Sequence, residues 1–380
     1  MASLPQWHRV KLCSPLVQEK PLCAVSPVSD SMEGKKCAFE EVAFYEVKNE
    51  PGWESCFTNF AKVCLLPGEI YRLECSIQIN RGVYCEGNGA TILVCDNCEH
   101  AFFQVEYLAL MLTEAKVWGV TFKNVHFKKQ ELSEGCLFKC LSFIHLQNCS
   151  FTGWTRPAIQ LHMGGRIVGC KFKGCFRGIK ALGRLFVAIK RCVFEKCVMC
   201  IISSAPCKLS HNFCLYSHSF AMIKGTAVIR GNVIYHGDEG VNNRNMITCV
   251  EGKALPMFDI HVASNHLCPS PVFEKNVLNN AKMFVGCRRS AFCFSQCSLL
   301  SSVVYTDDGS SPVTFRNSQH QESRVLKVID FEVSDQTESY CDCGKKHPTP
   351  FITIANVTTQ STFGDNLSVL RCPDYSSGEE

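Results

Sequence analysis

Between residues 124 and 235, apolar and polar side chains alternate in short runs broken by glycine or polar residues, and the runs recur. NVHF (124–127), NCSF (148–151), GCKF (169–172), RCVF (191–194), SHNF (210–213) and GNVI (231–234) place Phe or Ile at 127, 151, 172, 194, 213 and 234, in steps of 24, 21, 22, 19 and 21 residues. Within a run the period is two. Cys170 and Phe172 share one face and Lys171 and Lys173 the other, which predicts a half-buried strand rather than a helix. Strands recurring every 20–25 residues or so, with turns such as HMGG and KGCFRG between them, are the signature of a solenoid. The L-x-x-L-x-L-x-x-N skeleton of leucine-rich repeats is missing. The expected fold class is therefore all-β, a right-handed parallel β-helix whose coils stack at about 4.8 Å. Equivalent side chains then lie above one another, so Cys149, Cys170 and Cys192 should form one inward ladder and Phe151, Phe172 and Phe194 another. The expected organisation is a disordered N-terminal segment (1–40), the β-helix (41–300), a C-terminal region completing or capping it (301–371), and an acidic tail (372–380).

The chain has 380 residues and 27 cysteines. So many thiols would suggest a disulfide scaffold in a short secreted chain, but this chain is long and its count is odd. The N-terminus has no basic segment leading into a continuous apolar stretch, and no run approaches eighteen apolar residues. The expectation is a reducing, intracellular setting in which thiols serve as small apolar side chains, with the sequons at Asn148, Asn356 and Asn366 unused. Cys-x4-Cys, as in GCKFKGC (169–175) and RCVFEKC (191–197), is weak evidence for zinc, whose structural pairs are tighter. The formal charge of +4 hides an uneven distribution: from Lys139 to Gly237 there are fourteen Lys or Arg against one carboxylate, Glu195, while the chain ends in DYSSGEE. A basic middle favours acidic or polyanionic partners; the plain alternative is a solubilising surface.

Many β-helix proteins cut polysaccharides, which takes two carboxylates within several ångströms. Glu195 has no second carboxylate in the neighbouring repeats, and there is no G-x-S-x-G, Walker loop or dinucleotide fingerprint. No enzyme and no obligatory cofactor are expected. Two Cys/His clusters suit zinc by ligand type. In CDCGKKH, Cys341, Cys343 and His347 give three ligands, so Cys372, Cys287 or a partner chain would have to complete the set; an exposed thiol loop or a buried turn is the other reading. In CDNCEH, Cys95, Cys98 and His100 lie where apolar core cysteines are also expected. VKNE (47–50) fits the apolar-Lys-x-Glu pattern of SUMO conjugation at Lys48. Ser376 and Ser377 each precede a glutamate by three residues, which suits an acid-directed kinase; the alternative is an unmodified tail.

FAKVCLLP (60–67), EGNGA (86–90), KRCVFEKC (190–197), KGTAVIRGNV (224–233), NMITC (245–249), PVFEKNVL (271–278), CDCGKKH (341–347) and the terminal SSGEE follow one another as in the large T antigen of adenovirus early region 1B, the 55 kDa protein family, which the chain resembles from about residue 38 to 380. The resemblance implies a viral regulator of the host nucleus and cytoplasm that represses the host tumour-suppressor transcription factor. It also implies a substrate adaptor, working with a viral early-region-4 protein and a host cullin complex, that blocks apoptosis, promotes late mRNA export, and is SUMO-modified and phosphorylated. Transactivation segments are acidic with embedded apolar residues. The expected contact is a single cationic face carrying Lys171, Lys173, Arg177, Lys180, Arg184 and Lys190, which RNA would also find attractive. The alternative is a β-helix capsid protein of related adenoviruses, by analogy with which a homotrimer is expected.

Overall fold

The computed structural model describes residues 43–95, 101–106, 119–129, 135–236, 246–250, 253–256, 259–264, 271–287, 292–307, 313–334, 339–341, 346–347 and 351–362. Nearly all of the regular structure is parallel strand, wound into a β-solenoid of about ten turns. A full coil gives one strand to each of three sheets. The first sheet contains Ile144–Gln147, Gly165–Val168, Val187–Lys190 and Cys207–Ser210. The second contains Ser150–Thr152, Lys171–Lys173, Val193–Glu195 and Phe213–Leu215, and the third Pro157–Leu161, Arg177–Ala181, Met199–Ser203 and Ser219–Lys224. Equivalent residues pair directly: Phe127, Phe151, Phe172 and Phe194 follow one another in register, and their rings stack with centroids 5.4, 4.7 and 4.8 Å apart. Cys149, Cys170 and Cys192 are buried beside them as free thiols. Both expected ladders are present.

Two residues turn the first sheet into the second. The first is left-handed: Asn148 (φ 53°), Gly169 (64°), Arg191 (56°), His211 (57°) and Lys275 (55°) take the same position. That conformation costs a residue with a Cβ about 1–2 kcal/mol, so the surrounding pairing must impose it. The second turn residue points inward. It is Cys149, Cys170 and Cys192 in three successive coils, then Asn212, Asn232 and Asn276 in the next three. The thiols of Cys149 and Cys192 lie 3.5 and 3.6 Å from the carbonyls of Phe122 and Ile167 in the preceding coil. The asparagines occupy the same place and bond to each other. Asn212 Nδ2 donates to Asn232 Oδ1 at 2.9 Å and Asn232 Nδ2 to Asn276 Oδ1 at 3.0 Å, while each amide also donates back to a carbonyl, Ile189, Leu209 and Ile229 respectively.

One expected position changes. Phe213 is not in the phenyl row: it pairs with Val193 and is 40% exposed, and Cys214 follows Phe194 inward. The turn His211–Asn212 aligns with Arg191–Cys192 and sets the phase of the strand that follows, overriding the preference of a phenyl ring for burial.

The ends and one excursion complete the fold. A short helix, Cys56–Asn59, brings Phe57 against Phe103 and Phe122, with centroids 5.6 Å apart in both cases. Arg324–Ser334 pairs in parallel with Val303–Asp307 and antiparallel with Phe351–Thr362, so the third sheet ends on a reversed strand. Between His236 and Asp259 the described strands form an excursion outside the three long sheets. Within the excursion Met246–Val250 pairs with Lys253–Pro256 and with Ser339–Cys341, part of a small four-stranded sheet. His236 and Asp259 are both buried at the excursion's base, with His236 Nε2 2.5 Å from Asp259 Oδ1. The other carboxylate oxygen accepts the Lys282 amide at 2.6 Å. No helix among the described residues is long and apolar enough to cross a membrane.

Candidate interaction surface

The side chains that face outward from a solenoid are those between the ladder positions, and register decides which of them are neighbours. On the second sheet, Lys171 pairs with Val193 and Lys173 with Glu195. Both lysines are about half exposed, at 54% and 53%, and each ammonium is 3.4 Å from a Glu195 oxygen. Partial burial raises the Glu195 carboxyl, but the hydrogen bonds and charges of Lys173 and Lys171 outweigh it and hold the group below its usual value. Exposed pairs of this kind contribute roughly 0–1 kcal/mol, so the lysines are weakly held. The carboxylate is committed to salt bridges, not to proton transfer.

Lys190 ends the first-sheet strand Val187–Lys190, and Arg191 occupies the left-handed turn after it, exposed. These two stand at the corner between the first and second sheets, one coil along from Lys171. On the outer side of the first sheet, His145 is directly opposite Arg166. Burial first, and then the charges of Arg166 and Lys123, push its imidazole below the ordinary histidine value. Lys208 follows two coils beyond Arg166. Arg166, Arg191 and Lys208 were not singled out from sequence, although the excess of cations over that stretch includes them.

The six expected contact residues do not share one face. Lys171 and Lys173 belong to the second sheet and Lys190 to the first. Arg184 is exposed in the turn Leu182–Phe186, beside Leu182, Leu185 and Phe186, which are 40%, 49% and 51% exposed. Lys180 is half-buried on the third sheet; burial first, then the charges of Lys139 and Lys180, lower the His162 pKa. Arg177 is buried at 6% exposure, with its guanidinium carbon 5.5 Å from the centre of the Phe176 ring. The physical reason is local: Arg177 is in direct register with the buried Met199. Met199 and Met222 form an apolar cluster of their own with Val198 and Ile202, and Arg177 adjoins it along the sheet. The expectation of a single basic face is corrected to a corner, with Lys171, Lys190 and Arg191 at its centre.

Of the remaining expected sites, Lys48 is exposed. Val47 beside it is 1% exposed with its carbonyl held by the Tyr71 hydroxyl, so the apolar residue of VKNE faces the core. Cys341 and His347 fall on the antiparallel strands Ser339–Cys341 and Lys346–His347, where His347 is opposite Ser339. Cys343, Cys372, Cys98, His100, Ser376 and Ser377 lie outside the described residues. Among the described residues no group of three or more Cys, His, Asp or Glu is placed to hold a metal ion. Burial raises the thiols of Cys149 and Cys170 well above the usual range and those of Cys207 and Cys297 to about 11, which keeps these side chains neutral and apolar in character.

Residues 24–380 match the family described as Adenovirus EB1 55K protein / large t-antigen. The E1B 55 kDa protein of Human adenovirus F serotype 41 is 29% identical over 355 residues, 91% of this chain and 72% of that protein. The E1B 55 kDa protein of Tree shrew adenovirus serotype 1 is 29% identical over 349 residues, 91% of this chain and 89% of that protein. Among solved structures, Geobacillus virus E2 ORF18 covers 73% of this chain and 55% of its own at 10% identity with a TM-score of 0.30, too distant a superposition to inform fold or function. With the family's match running through every coil described above, the chain belongs to the adenovirus E1B 55K protein / large t-antigen family.

Proposed function

We propose that this adenoviral early protein is a non-enzymatic adaptor whose cationic corner captures an acidic, apolar-studded segment of the host tumour-suppressor transcription factor. In that role it represses the factor and delivers it, with a viral early-region-4 protein, to a host cullin ubiquitin ligase. Blocking of apoptosis, support of late mRNA export and action in the host nucleus and cytoplasm belong to the same reading. The observation that carries it is the charge arrangement from Lys139 to Gly237. Fourteen cations meet one carboxylate, and that carboxylate, Glu195, is bound to Lys171 and Lys173. The share of that charge gathered at the corner, Lys171, Lys190 and Arg191 with Lys173 beside them, attracts acidic chains over about 8–10 Å at physiological salt, and the stretch offers no pair of carboxylates for hydrolysis.

Affinity purification from infected cells followed by mass spectrometry tests the reading. The transcription factor, cullin components and early-region-4 protein should co-purify, less so as salt rises. Charge reversal at Lys171, Lys190 and Arg191 should cut recovery of the transcription factor about tenfold or more without changing thermal unfolding. Equal recovery would overturn the cationic-corner reading.

A further inference from the structure

The outer side of the second sheet changes character along the solenoid. Its two outward columns read Lys171, Val193, Phe213, Val233, Val277 and Lys173, Glu195, Leu215, Tyr235, Asn279, each residue in direct register with the next. A half-exposed strand normally turns polar residues to water and apolar ones inward. Here the coils of Phe213 and Val233 are apolar on both sides and those of Val193 and Val277 in one outward column: Phe194, Cys214, Ile234 and Leu278 are buried beneath an exposed Phe213 and the half-buried Val193, Leu215, Val233, Tyr235 and Val277. Beside them Tyr216, 46% exposed, sits in the left-handed turn with its ring edge-on to Tyr235 at 5.8 Å. Contiguous apolar surface of this kind marks a docking site. Cations predominate at one end: Arg191 and Lys196 occupy the left-handed turns at either side of the Val193–Glu195 strand, and Lys171 and Lys173 flank Glu195 there, whereas towards the other end Lys275 and Arg230 are paired with Glu274.

We infer that this strip is the apolar half of a docking surface for an acidic amphipathic helix laid along the solenoid axis. The inference rests on the proposed capture of an acidic segment and names the form that segment takes. A helix presents its apolar residues once per turn, about every 5.4 Å, and the strip presents one row per coil, about every 4.8 Å. Over three turns the two spacings drift apart by only about 2 Å, within the reach of a side chain. At the cationic end, Lys171, Lys173, Arg191 and Lys196 outnumber Glu195 and select a helix whose flanks carry Asp and Glu.

The test uses the full chain and a fluorescein-labelled 18-residue acidic peptide with Leu or Phe at every third or fourth position, beside a control peptide with Ala at those places. Fluorescence anisotropy should show the first peptide binding at least tenfold more tightly than the control. Phe213→Ser, and independently Val233→Thr, should each weaken binding fivefold or more at an unchanged melting temperature. Lys171→Glu should weaken binding of both peptides and flatten the salt dependence. If the wild-type chain does not distinguish the two peptides, or both strip variants bind as the wild type does while Lys171→Glu does not, the strip inference is overturned and the electrostatic reading of the corner stands. If none of the variants changes binding, both readings fall. Self-association of the wild-type chain in sedimentation velocity that Phe213→Ser abolishes would assign the strip to a second copy and also overturn the inference.

Discussion

The coils around Phe172 and those around Asn232 are built on one plan and held together by different chemistry. In the first, four phenyl rings stack and the inward turn residue is a thiol. In the second, the row beneath is Cys214, Ile234 and Leu278, and the turn residue is a carboxamide bonded to the ones above and below. Sulfur-to-carbonyl contacts at 3.5–3.6 Å are weak, so the thiol coils rely on packing. The amide coils have less ring surface to bury but satisfy backbone groups that would otherwise be orphaned: Asn232 Oδ1 accepts the Asn212 amide N–H and Asn276 Oδ1 accepts that of Asn232. One backbone geometry thus accepts either cohesion, provided that the turn residue is small enough to point inward and neutral.

Phe172→Ala should break the packing-dependent region. Removing a ring stacked on both sides costs about 3–5 kcal/mol, read as a fall in the denaturant midpoint, because flanking rings in register cannot collapse into the gap. Asn232→Leu should break the other region at about 2–4 kcal/mol, since it strands the Asn212 amide N–H and the Leu209 carbonyl while keeping the branched outline of the side chain. A loss below about 1 kcal/mol would mean that the amide ladder adds little to the stack. Cys192→Asn sharpens the contrast. Its backbone N–H already donates to Asn212 Oδ1, so the variant extends the ladder by one rung, and the change should stay within about 1 kcal/mol of zero. A large destabilisation there would show that the two regions differ in space as well as in chemistry.

The solenoid itself was legible in the sequence because Cys-x-Phe carries both signals that a coil needs: a period of two within the strand and a fixed distance to the next copy. Its phase was less so. Phe213 looked like an anchor because phenyl rings mark the others, whereas the structure takes its phase from left-handed turns, and those are occupied by residues as unlike as Gly169, Arg191, His211 and Lys275. The asparagine ladder had a signal that alignment on the aromatic position passed over: SHNF, GNVI and KNVL carry Asn one turn position before the strand. For the interaction surface, the excess of cations was readable and its layout was not. Which of Lys171, Arg177 and Lys190 meets solvent depends on the neighbours that coil stacking brings, and nothing local to Arg177 announces that it falls in register with the buried Met199.

The buried contact between His236 and Asp259 has an evolutionary consequence. It joins the two points where the chain departs from and rejoins the stack, so that Ser219–Lys224 still pairs with Ile260–Ser264 as though the intervening residues were an ordinary loop. Descendants of this sequence are free to lengthen, shorten or replace what hangs from that clasp while inheriting the stacked interior unaltered.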